Sequence, residues 1–157
     1  MLVKTSIKFN DEMLGALLAG HKTVTRRLIK PQPVTTEEYL RKRGAWIEGL
    51  TLSDHLNNAW RAGFIDEACP YGQIGDQLKV DAPGIEAAIE IEDVRIEQLQ
   101  MITIGQIVKE GLAESIYEFR PVTQALPAFE ELWDSIYGSG SWALNPWVWV
   151  IDFKRIA

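Results

Sequence analysis

Apolar residues recur along this chain with two periods, and the changes of period mark its elements. Ile7 and Phe9, two apart, place a short strand within residues 4–9. Met13, Leu14, Leu17 and Leu18 then follow helical spacing, with Asn10 or Asp11 placed to cap the helix and Gly20 to end it. Residues 23–28 read as a strand, Thr and Val suiting a pleated surface while Lys22 and Arg26 add charge. Pro31-Gln32-Pro33 breaks the pattern, and Thr35-Thr36-Glu37-Glu38 starts a short helix to about Lys42. Trp46, Leu50, Leu52, Leu56, Trp60 and Phe64 keep no single period, so residues 31–68 read as an insertion with one or two short helices. Cys69-Pro70-Tyr71-Gly72-Gln73-Ile74-Gly75-Asp76 is a turn cluster before a short strand at 77–80.

Ile89 and Ile91 alternate in one phase and Val94 and Ile96 in the other, which predicts a bulge or turn near Glu92-Asp93 inside a long strand region. Thr103 caps a helix carrying Ile104, Ile107 and Val108, and Gly111 helps end it. Residues 127–137 form the clearest helix, with Phe129, Leu132, Trp133 and Ile136 on one face and Gly138 as its stop. Residues 146–153 are a strand that puts Trp147 and Trp149 on one face and Val148 and Val150 on the other. Strands at the start, middle and end with helices between them predict an α+β domain on a small curved sheet or barrel.

Composition narrows the function classes. With 157 residues, 46% of them hydrophobic and 24% charged, the chain is long enough for a sizeable core and is expected to be one domain over 1–157. A net charge of −6 argues against non-specific wrapping of duplex DNA, which needs a dense basic surface, but leaves room for a local basic pocket. One cysteine, Cys69, precludes an intrachain disulfide, and with His21 and His55 it makes a poor zinc set; no metal and no cofactor is expected. The first six residues lack a signal-peptide core and no apolar run is long enough to span a membrane, so a cytoplasmic protein without membrane contact is expected.

The densest chemistry lies in Gly20-His21-Lys22-Thr23-Val24-Thr25-Arg26-Arg27. A Thr hydroxyl becomes a nucleophile only beside a base, and a Lys is such a base when its pKa is lowered by burial or by a neighbouring cation. Lys22 and Thr25 are three apart, so within a strand they point to opposite faces and meet only if a turn or twist intervenes. By residue type alone the cluster reads first as a solvated strand edge with ordinary surface charges. Glu110 stands at a helix C-terminus, which the macrodipole disfavours for a carboxylate, while Glu86, Glu90, Glu92 and Glu97 read as the solvated face of a strand. The aromatic residues of the last strand read as core before they read as stacking platforms.

Taken together, the Gly-x-Lys-Thr-x-Thr-x-Arg element, Cys69-Pro70-Tyr71-Gly72 with Gly75-Asp76-Gln77-Leu78, Ile102-Thr103 with Glu110-Gly111, and the closing Asn145-Pro146-Trp147-Val148-Trp149-Val150 resemble the ASCH family. The closing stretch is similar to bacteriophage and prophage variants, which would place the protein in a bacterial host cell. The resemblance implies a PUA-like β-barrel and an RNA or modified-nucleoside partner. It extends to a bacterial amidohydrolase of N-acetylcytidine, and implies Thr25 as nucleophile, Lys22 as its base and Glu110 as the carboxylate that orients Lys22 or shuttles a proton. Thr23, Arg26 and Arg27 would contact substrate, Arg27 through a carbonyl oxygen or phosphate. Many relatives follow Gly-Asp-x-Leu with Trp-Val-Arg-Glu; this chain has Lys79-Val80-Asp81-Ala82, and so lacks an aromatic and an Arg-Glu pair expected at one wall of the cleft. The insertion would cap or reshape that cleft. The same residues also fit a non-catalytic RNA-binding module, a ribonuclease, or a phage interaction protein.

Overall fold

Strand β5 (Trp147–Arg155) organises the molecule. It pairs antiparallel with β4 (Ala88–Gln98) on one side and with β2 (Val24–Leu28) on the other. β3 (Gln77–Asp81) continues the sheet beyond β4, and β1 (Ser6–Lys8) closes that edge in parallel with β3. The sheet order is therefore β1-β3-β4-β5-β2. These elements come from a computed structural model that describes residues 5–65, 68–112 and 124–157. Lys4, the N-terminal stretch read for a leader, and positions 66–67 of the expected insertion lie wholly or partly outside the described residues.

The alternation expected in β5 divides the core. Trp147, Trp149, Ile151 and Phe153 join Ile7, Phe9, Leu17, Leu78, Ile89, Ile91 and Ile96 in one cluster. Val148 and Val150 join Val24, Leu99, Ile107, Phe129 and Trp133 in the other. The change of phase in β4 is a register irregularity between Ile91 and Asp93, where the sequence pattern places it. That extra residue keeps Ile89 and Ile91 on the same buried face as Val94 and Ile96.

The α-helices among the described residues are α1 (Asp11–Leu18), α2 (Glu37–Lys42), α3 (Leu52–Arg61), α4 (Ile104–Ile107) and α5 (Ala125–Tyr137). Asn10, Thr36, Thr51 and Thr103 cap the first four through their side chains. α5 begins two residues earlier than expected, because Pro127 is tolerated in a first turn whose N–H groups have no helical partner. No helix among the described residues is long and apolar enough to cross a membrane.

The expected barrel is an open sheet: its edges β1 and β2 do not pair with each other. The two edges nevertheless approach. Arg27 of β2 donates from Nη2 to the Lys8 carbonyl at 2.9 Å, and Ile29 beyond β2 is buried with Ile7 and Phe9. A side chain bridges the seam where a barrel would have a ladder.

Helix α3 serves the sheet instead of capping a cleft. β3 covers only the first part of β4, and α3 meets the rest with three polar residues spaced four apart. Arg61 donates to Val94 O, Asn57 Oδ1 accepts from Ile96 N, and Ser53 Oγ accepts from Gln98 N. Four helical residues rise about 6 Å and two strand residues about 6.6 Å, so the side chains match alternate strand residues. The backbone groups of an otherwise open strand are thereby satisfied.

Candidate functional site

The site is built where α1 turns into β2. Gly20, with φ +82°, ends the helix, and the amides of His21 and Lys22 both return to Ala16 O. The chain then enters β2, and Thr23 N donates to Lys109 O at 2.9 Å. This tie joins β2 to a wide turn, Val108–Leu112, that follows α4. Gly111 makes the turn possible. Its φ is +99°, and a Cβ there would stand 2.6 Å from Ala16 Cβ and 3.2 Å from Lys22 Cβ. The close approach sets Glu110 on Lys22.

Lys22 is 2% exposed and Glu110 8%. Lys22 Nζ donates to Glu110 Oε2 at 3.0 Å, to Glu110 O at 2.9 Å and to Val24 O at 2.9 Å. The other carboxylate oxygen, Oε1, accepts from Arg26 Nη1 at 3.0 Å. Arg26 reaches Glu97 Oε1 at 3.3 Å from Nη2, with Gln106 Oε1 a longer contact at 3.5 Å. Glu97, expected on a solvated face, is in fact shared between Arg26 and Arg95, and Arg95 also pairs with Asp152 at 2.7 Å. Three cations, Lys22, Arg26 and Arg95, thus meet three carboxylates, Glu110, Glu97 and Asp152. Burial lowers the Lys22 pKa, Glu110 opposes the shift, and Arg27 and Arg26 add to it.

Thr25 and Arg27 lie on the opposite face of β2, across from Ile151 and Trp149 of β5. Thr25 is 1% exposed, and its hydroxyl oxygen accepts from Arg27 Nε at 3.1 Å. A guanidinium on a hydroxyl oxygen favours the alkoxide, which is the form a nucleophile needs. The Arg27 guanidinium also stands 5.6 Å from the Phe9 ring centre and 5.9 Å from that of Tyr71.

These residues share one cavity of about 300 Å³. Lys22, Thr25, Arg26, Arg27 and Glu110 line it, so the structure brings five of the six expected residues together. The sixth, Thr23, is exposed and lines a separate depression with Gly20 and Lys109. The turn at Gly20 is what reconciles Lys22 and Thr25, because Lys22 precedes the strand and the pleat does not separate them. Lys22 Nζ is held by Glu110 and Val24 O, and Thr25 Oγ1 by Arg27.

The opposite wall comes from α5: Phe129, Leu132, Trp133, Ile136 and Tyr137. The sequence marks that helical face as apolar packing, and its role in the cavity is missed. In the structure Ile136 continues that apolar stripe yet is 47% exposed, a feature that the sequence pattern does not carry. Trp133 stacks on Tyr137 at 4.2 Å between ring centres, an i,i+4 pair. None of Lys79, Val80, Asp81 or Ala82 lines the cavity, and its aromatic surface includes Phe129, Trp133 and Tyr137 of α5. No described residue of 31–68 lines it either.

Two donors on these walls have no partner: Trp133 Nε1 and Arg26 Nε are buried and unbonded. A buried donor left unpaired costs about 1–3 kcal/mol, which a folded chain seldom carries without cause.

No protein-family model matches the sequence, and no curated protein is significantly similar to it. The structure is similar to the crystal structure of an ASCH domain from Lactobacillus crispatus JV V101, with a TM-score of 0.51 and 15% sequence identity over 97% of this chain and 80% of that one. At that identity the likeness is one of architecture, and on that ground the chain has the fold of an ASCH domain.

Proposed function

We propose that the cavity binds a single nucleoside, free or unstacked from RNA, and hydrolyses an amide on its base. The observation that carries this reading is the shared cavity: it is lined both by a buried lysine joined to Glu110 and by a threonine whose hydroxyl is polarised by Arg27. Its apolar wall suits the face of a base, and the volume is at the lower end of small-molecule sites, roughly 300–1,000 Å³. The likeness in fold to an ASCH domain agrees with an RNA or nucleoside ligand.

In this reading Lys22 reacts as the neutral amine. A neutral amine has two N–H donors for the three acceptors around it, which frees one direction for its lone pair. The amine turns from Val24 O toward Thr25 and takes the hydroxyl proton as Thr25 Oγ1 bonds to the amide carbon. It passes that proton to the leaving nitrogen as the carbon–nitrogen bond breaks. Water then gives a proton to Lys22 and attacks the threonyl ester, releasing the acid and regenerating the hydroxyl. Glu110 holds Lys22 in place and balances its charge when it is protonated.

The test is release of acetate from N-acetylcytidine by the purified protein. The expected result is turnover by the wild type, and for Thr25→Ala binding without turnover, a loss of at least about 10²-fold. Absence of turnover by the wild type, or equal turnover by Thr25→Ala, contradicts the reading.

One observation favours a second reading, a binding module without chemistry: as an ammonium, Lys22 spends all three protons on Val24 and Glu110. Salt-sensitive RNA binding that weakens in Arg27→Ala, with no product formed, selects it.

A further inference from the structure

The ion-pair network beside the cavity closes on itself. Lys22, Arg26 and Arg95 meet Glu110, Glu97 and Asp152, so with Lys22 as an ammonium the charges balance. Arg27 stands outside that balance: no carboxylate among the described residues pairs with it. It is half-buried, with Nε on Thr25 Oγ1 and Nη2 on Lys8 O. The third nitrogen, Nη1, has no hydrogen-bond partner among the described residues. It is not sealed either, since the buried side-chain atoms left unpaired belong to Arg26, Trp46 and Trp133. Solvent therefore reaches Nη1. Both hydrogen-bond partners of Arg27 line the cavity with it, and so does Tyr137, whose phenol is raised by burial and lowered by the Arg27 charge. The open edge of the guanidinium is thus set among lining residues. Bridging the seam explains the donor to Lys8 O, yet a neutral donor would bridge it as well. It does not explain a half-buried charge without a counterion, in a chain whose net charge is −6. The faces of Phe9 and Tyr71 support that charge without neutralising it. Glu110, the one acidic lining residue, already has its two oxygens on Lys22 and Arg26.

We infer that the open edge of Arg27 is an anion site, and that the ligand of this cavity brings a carboxylate or phosphate group to it. This rests on the nucleoside reading above and narrows it to acidic derivatives of a nucleoside. Two sources supply such a group. A carboxylate on the acyl chain lies close to the amide, and because Arg27 Nε is already on Thr25, one guanidinium serves both. A 5′-phosphate lies across the ribose from the exocyclic nitrogen of the base, so it takes Arg27 only by turning that nitrogen away from Thr25.

The probes are two pairs, each an anion with its neutral counterpart: N-carboxyethylcytidine with N-propylcytidine, and cytidine 5′-monophosphate with cytidine. None has an amide to hydrolyse, so the wild-type protein is titrated as it is. The expected result is affinity at least about tenfold tighter for an anion than for its counterpart, a gain that shrinks with added salt. A gain in the carboxylate pair assigns the acyl chain and keeps the amide on Thr25. A gain in the phosphate pair alone supports the anion site and removes the amide from Thr25. Equal affinities within both pairs, or no binding of any probe, overturn this inference; the nucleoside reading then stands or falls on acetate release. Arg27→Gln should bind cytidine and lose the gain, and a gain that survives there overturns the assignment to Arg27. Where that variant does not fold, the Arg27 Nε–H resonance of the wild type replaces it. That signal should shift with the tighter anion and not with its counterpart, and an unmoved signal overturns the inference.

Discussion

Two clusters in this molecule are made of the same residue types and behave differently. Around α2, Arg41 pairs with Glu48 at 2.8 Å and with Glu37 at 3.7 Å, Arg41 lies 5.1 Å from the Trp46 ring centre, and Trp46 stacks on His55 at 4.1 Å. Around β2, Lys22 and Arg26 pair with Glu110 at 3.0 Å beside Trp133 and Tyr137. The distances are alike and the surroundings are not. Arg41 and Glu48 are largely exposed, so water and salt screen their pair and its worth is small. Lys22, Arg26 and Glu110 have given up their hydration, so each depends on the others, and the lysine is pushed toward its neutral form. Position in the fold, more than residue type, separates a screened surface pair from a buried cluster whose members depend on one another.

Removing Glu110 breaks the comparison most sharply. Glu110→Ala leaves Lys22 and Arg26 buried without their carboxylate, and the expected loss is about 3–5 kcal/mol in equilibrium denaturation. A loss below about 1 kcal/mol would make the buried cluster no different from an exposed pair. Gly111→Ala comes next. The added methyl meets Ala16 and Lys22, and the backbone is held at a φ that L residues seldom adopt, so about 1–3 kcal/mol is expected. A fall in amide turnover should accompany it, as Glu110 is displaced from Lys22; unchanged stability would show that the turn relaxes freely. The smallest effect belongs to the surface cluster. Glu48→Ala should leave the denaturation midpoint and turnover unchanged, and a clear destabilisation would mean that the exposed pair matters to the fold.

Much of the scaffold was legible because local signals and tertiary demands agree. Asn10, Thr36 and Thr103 cap helices as their spacing implies, and the phase change near Glu92-Asp93 is a bulge because both halves of β4 must bury one face. Lys22, Thr25 and Glu110 were legible as chemical types, yet only the fold brings Glu110 to Lys22 across 88 positions of sequence. Three features were out of reach. The open seam depends on Arg27 finding Lys8 O rather than on any propensity. The role of α3 depends on matching Ser53, Asn57 and Arg61 to alternate residues of β4, which requires knowing that β3 is too short to cover them. The α5 wall carries the periodicity of ordinary core packing, and a helix face reads the same whether it meets a neighbour or an empty cavity.

The central claim is that burial makes Lys22 a base, and titration of Lys22 in the folded protein tests it directly. The ordinary lysine value is 10.5, and the folded value is expected below it, because desolvation outweighs the pull of Glu110. Between those two values the unfolded chain holds the proton that the folded chain has released. The part of the stability that depends on Lys22 therefore rises with pH across that window and is lost as pH falls through the folded value. The ¹³Cε resonance of Lys22, assigned by its absence from Lys22→Met, should titrate below 10.5. A midpoint at or above 10.5 would mean that Glu110 holds a permanent ammonium, and would contradict the account.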